Sequence, residues 1–89
     1  MPTISMFYGI VVAMFFEDTD RHHLPHIHVR YSGEKAVVSI ADGALLAGQF
    51  PARQLKMVQV WVDLHKEELL ADWELAASGE TPFRIEPLR

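Results

Sequence analysis

From residue 52 to residue 78 the chain holds neither proline nor glycine, and this stretch sits between Pro51 and Gly79. That restricts the fold more than any other feature. Proline suits the first turn of a helix, where its missing N–H costs nothing, and glycine suits the stop. Inside the stretch Leu55, Val58, Val62, His65, Leu69, Trp73 and Ala76 follow steps of three and four. At about 100° per residue they make one stripe about 80° wide. Met57, Trp61, Leu64 and Leu75 widen the apolar arc to roughly 180° and leave Lys56, Gln59, Asp63, Lys66, Glu67 and Glu74 on the wet side. Packing on one sheet face needs less than that. Two accounts fit: the helix breaks near His65 into a packed pair, or a single helix of about 40 Å offers its surplus surface to a partner. A homodimer or hetero-partner through this C-terminal helix is the expectation.

The remaining residues must then supply a sheet. Residues 3–16 are apolar on both alternating faces, as in a strand covered on both sides, and Gly9 marks a bend or bulge. Residues 26–32 alternate: His26, His28 and Arg30 point to one face, Ile27, Val29 and Tyr31 to the other. Ser32-Gly33 predicts a tight turn into a strand at 34–41, and Asp42-Gly43 a hairpin into one at 44–50. A two-residue turn at Ser32-Gly33 sets Ser39 opposite His26 and Arg30 opposite Lys35, the latter a mild like-charge penalty. The fold class is α+β: an antiparallel sheet of about four strands (3–16, 26–32, 34–41, 44–50) with a long C-terminal helix (52–78, continuous or broken near 65) on one face. The tail, 81–89, reads as a short edge strand limited by Pro87. With 89 residues, 49% of them hydrophobic, the chain reads as a single domain, residues 1–89.

Composition narrows the chemistry. There is no cysteine, so neither a disulfide framework nor a thiolate metal site is available, and any metal would be held by histidine and carboxylate. No basic leader is seen, and the apolar run 6–16 is about half the roughly 20 residues of a spanning helix, so a cytoplasmic protein without membrane association is expected. The net charge of −4 disfavours broad nucleic-acid binding, which needs a Lys/Arg excess.

Four of the five histidines fall within residues 21–29, "RHHLPHIHV". Strand alternation puts His26 and His28 about 6 to 7 Å apart on one face, near enough to share one ion. The preceding loop offers His22, His23, Glu17, Asp18 and Asp20. A set of His22, His26, His28, Asp18 and Asp20 would suit a divalent metal, zinc or manganese. The plainer alternative is that these imidazoles are solvated on the wet face of a strand, with His23 a bystander. The same groups are also the catalytic candidates: His22, His26 and His28 as acid and base, Asp18 or Asp20 orienting them, and Arg30 steadying a phosphoryl oxygen, as in a nuclease or phosphodiesterase. "HIHVR" is similar to the His-φ-His-φ-His of histidine-triad nucleotide hydrolases, but Arg30 stands at the third position and the match is rejected. No G-x-S-x-G elbow supports a serine hydrolase around Ser39. His65, on the apolar stripe, is expected to be a core or boundary histidine bonded to a carbonyl. Trp61 and Trp73 read as core or interface anchors, and Glu67 and Glu68 as solvated charges.

"MPTISMFYGIVVAMFFED", "HHLPHIHVRYSGEKAVVSI" and "LHKEELLADWELAASGE" together resemble, in order and spacing, the bacterial family known as domain of unknown function 4160. Its His-x-Pro-Pro-His-φ-His signature falls on His22, Pro25, His26 and His28, with Leu24 in place of the first proline. The resemblance implies a small cytoplasmic protein, often encoded beside another small domain in arrangements like toxin–antitoxin pairs. It implies no particular reaction. The expected function is therefore a protein-interaction component of a two-gene toxin–antitoxin-like or stress unit with a metal-binding histidine cluster, and the alternative is the nuclease or phosphodiesterase.

Overall fold

The structure, a computed structural model, describes residues 2–16 and 24–89. Five antiparallel strands, β1 (Thr3–Phe7), β2 (Ile10–Ala13), β3 (His26–Tyr31), β4 (Glu34–Ser39) and β5 (Leu45–Gly48), form one sheet in sequential order. Two helices follow, α1 (Ala52–Leu64) and α2 (Lys66–Ala77). The class is the expected α+β, with five strands rather than four.

The extra strand comes from residues 3–16, which are a hairpin and not one strand. Phe7 pairs with Ile10, and Tyr8 and Gly9 between them both have positive φ, 50° and 80°. That is the two-residue turn whose twist matches the flanking strands. Its sequence signal is weak because Tyr is an unusual left-handed residue and apolar side chains run through the turn on both sides. Ser32-Gly33 makes the second such turn, with φ of 48° and 85°. The register there is the expected one, His26 opposite Ser39 and Arg30 opposite Lys35. Between β4 and β5 the Asp42 carboxylate accepts the Ala44 amide at 3.0 Å, and the register shifts between Val37 and Val38. β5 is therefore shorter than residues 44–50, because a loop and a bulge consume part of that stretch.

The helix breaks at His65, whose φ and ψ are −117° and 23°. The hydrogen-bond ladder continues across it, from His65 N to Trp61 O at 3.0 Å and from Leu69 N to His65 O at 2.9 Å, so the break is a kink. His65 stands at the N-cap of α2, its ring Nδ1 2.7 Å from Glu68 Oε1, and Glu67 and Glu68 occupy the first turn, where the helix dipole favours negative charge. Its partner is thus a carboxylate and not a carbonyl, and Glu68 is not simply solvated. At the far end Gly79 (φ 83°) donates to Ala76 O and Glu80 to Leu75 O, closing the helix with the glycine stop its position foretells.

Core packing uses one sheet face. Ile4, Ile10, Val12, Ile27, Val29, Val38 and Ile40 are inaccessible and cluster with Val58, Trp61, Val62 and Leu69 from the helices. The wide helical arc is largely consumed inside the chain. The tail runs along the helices: Trp61 Nε1 donates to Glu86 O at 2.8 Å, Phe83 N to Asp72 Oδ1 at 2.9 Å, and Ile85 N to Ile4 O at 2.8 Å, beside β1. Val60, Leu64 and Leu70 are the large apolar helix residues left exposed among those described. No helix among the described residues is long and apolar enough to cross a membrane.

Candidate histidine site and the open sheet face

His26 and His28 converge. Their ring centres are 5.2 Å apart at an interplanar angle of 66°. Strand alternation brings them to one face, and aromatic side chains from outside the strand hold them there. Phe15, two residues beyond β2, stacks on His28 at 4.1 Å, and Trp73 of α2 lies 4.9 Å from His26. Phe16 also meets Trp73, at 5.6 Å. As a result His26 is only 2% exposed and His28 is half-buried, which overturns the solvated-strand alternative for both.

His26 is also fixed in tautomer. Its Nδ1 lies 2.8 Å from the Leu24 carbonyl, which can only accept, so Nδ1 carries the proton and the neutral ring has its lone pair on Nε2. A backbone carbonyl on the far nitrogen is the arrangement that orients a metal-ligating histidine. His22, His23, Glu17, Asp18 and Asp20 lie outside the described residues, and so does any third ligand they would supply. Among the described residues no group of three His, Asp or Glu side chains is placed to hold an ion. Trp73 is a helical residue against His26, while the ring contacts of His65 are with Trp61 and Glu68.

The second feature is the rest of the sheet face that carries the histidines. Across β2 to β5 one row reads Ala13, His28, Val37, Ala47, and the next reads Val11, Arg30, Lys35. Small side chains in the first row leave an open groove of about 310 Å³, bordered by His28, Arg30 and Lys35. Met6, beside Val11 in the register, is 56% exposed. Arg30, expected beside the histidines, thus borders the same groove as His28.

Sequence reasoning missed two residues here. Trp73, an anchor by its sequence pattern, also packs on His26. Asp72 is 3% exposed, and its sequence signal is its place three residues after Leu69 and four before Ala76, a carboxylate on the apolar stripe. Burial pushes its carboxyl above the ordinary value of 3.8, the Phe83 amide pulls the other way, and the Glu68 carboxylate adds to the rise.

Comparison with family profiles matches residues 9–74 to the domain of unknown function DUF4160. The chain belongs to the DUF4160 family. The matched span takes in β2 to β5, α1 and most of α2, and so includes both the histidine pair and the groove of this DUF4160 chain. Comparisons with curated proteins and with solved structures return no match.

Proposed function

We propose that the chain is a protein-interaction module, one component of a two-gene toxin–antitoxin-like or stress unit, and that His26 and His28 supply two ligands to a divalent ion, zinc or manganese. The observation that carries the interaction reading is the open groove over Ala13, Val37 and Ala47 on the sheet face that bears Arg30 and Lys35. On the helices the tail takes up Trp61 and Asp72 and leaves Val60, Leu64 and Leu70 exposed, so the C-terminal helices remain a second candidate contact beside the sheet groove. The two-gene arrangement rests on the family resemblance. For the metal, two imidazoles bound to one tetrahedral ion have ring centres about 5 Å apart, matching this pair, and the Leu24 carbonyl orients His26. His22, Asp18 and Asp20 are the candidates for completing the set.

The test is co-expression of the full chain with the product of the neighbouring gene, followed by light scattering. A stoichiometric complex that Val37→Glu abolishes, with the circular dichroism unchanged, is expected. A clean monomer that fails to co-purify would overturn the interaction reading. Metal content is measured in parallel: one zinc or manganese per chain, lost in His26→Ala/His28→Ala, is expected, and a metal-free wild type removes that part alone.

A second reading, a nuclease or phosphodiesterase, is favoured by one observation: His28, Arg30 and Lys35 border one groove, which places an acid–base group beside two cations. Cleavage of single-stranded RNA or of an activated phosphodiester by wild type, absent in the double histidine variant, would establish it. Its absence in wild type removes it.

A further inference from the structure

We infer that the groove takes an extended acidic segment of a protein partner, with Arg30 and Lys35 receiving its carboxylate and the recess over Ala13, Val37 and Ala47 receiving an apolar side chain two residues away. This rests on the sheet face being the docking surface and adds the chemistry of the occupant.

Arg30 and Lys35 are direct cross-strand partners, an arrangement that costs stability when the charges are alike. The ion pairs among the described residues are His65–Glu68 and Glu86–Arg89, so neither cation is neutralised within them. This chain has acids to spare, 12 against 8 bases. Among the described residues none is ion-paired with this pair; Glu34, the nearest in sequence, is paired with Tyr31 one position along. Among the described residues that charge is left without a complement.

Geometry then specifies the form of that segment. The cationic row and the apolar row are two residues apart along the strands, about 6 to 7 Å. Residues i and i+2 of an extended chain have the same separation, so a segment with an acid at i and an apolar residue at i+2 meets both rows at once. Nucleic acid is a poorer fit, because an overall charge of −4 opposes a continuous phosphate backbone while two cations suffice for a carboxylate.

The test uses a synthetic peptide in which Glu and Val alternate with Ser between them, titrated into the isotope-labelled full chain at low salt. Amide shifts confined to residues 28–37 and 47, and affinity roughly tenfold weaker in Arg30→Gln/Lys35→Gln, are expected. That variant removes a repulsion and so keeps the fold. A Lys-for-Glu version of the peptide should leave the wild type unmoved. Equal binding of both peptides, shifts on the helices, or displacement by single-stranded RNA would overturn the inference. A chain that complexes its gene neighbour but ignores the acidic peptide overturns this inference alone. A chain that binds the peptide but no neighbour overturns the two-gene reading and leaves this one standing.

Discussion

The Phe83 amide donates to Asp72 Oδ1 at 2.9 Å, and this bond fastens the C-terminal tail across the second helix. The other oxygen, Oδ2, is buried without a hydrogen-bond partner among the described residues. A carboxylate in that position is costly to keep charged, which is why burial raises its pKa.

A pH dependence follows. Because the folded state holds the Asp72 proton more tightly than the unfolded chain, its contribution is fully present below the ordinary 3.8 and is lost as pH rises through the raised value. Asp72→Asn keeps an acceptor for Phe83 and removes the titration. Its urea midpoint relative to wild type should therefore improve as pH rises from the ordinary 3.8 through the raised value, and level off above it. A constant difference, or one of opposite slope, would refute the assignment.

Glycine 48 separates two kinds of backbone demand. Its φ is 83°, and a Cβ there would overlap the Lys35 carbonyl oxygen and lie 2.9 Å from Ala36 Cα. Gly33 has φ 85° with nothing within 4 Å of a Cβ. Gly33→Ala should cost about 1 kcal/mol, the conformational term alone, and Gly48→Ala about 3 kcal/mol or more, since strand backbone must also move. Chemical denaturation of the two variants checks the ranking, and equal losses would contradict it.

Trp61 is inaccessible, packs 5.3 Å from Phe7 and donates to the Glu86 carbonyl. Trp61→Phe removes that bond and leaves a void, with an expected loss of about 2 to 3 kcal/mol. Hydrogen exchange gives the sharper readout. The Ile85 amide, bonded to Ile4, should lose protection before the sheet amides do. Uniform loss everywhere would show that the tail is not separately held by Trp61.

Ser5 is 2% exposed and its hydroxyl has no partner among the described residues. Ser5→Ala removes a buried polar group at almost constant shape, so thermal unfolding should shift upward, by about 1 kcal/mol of stability. A destabilised variant would mean that the hydroxyl is satisfied in solution.

Local pattern was enough for the helix stop at Gly79, the Ser32-Gly33 turn, the register pairing His26 with Ser39, and the assignment of His26, His28 and Arg30 to one strand face. Each depends on periodicity or on turn chemistry within a few residues, which a chain carries wherever it packs. The hairpin at Tyr8-Gly9 escaped the same reasoning because apolar residues run continuously through it and Tyr8 is not a habitual left-handed residue. Burial of His26 under Trp73, the tail that covers Trp61 and holds Asp72, and the bare sheet face beside Arg30 and Lys35 all depend on groups distant in sequence. Period and propensity describe one element at a time, whereas which face of an element stays open follows from how the sheet, the kinked helix and the tail divide a limited apolar surface among themselves.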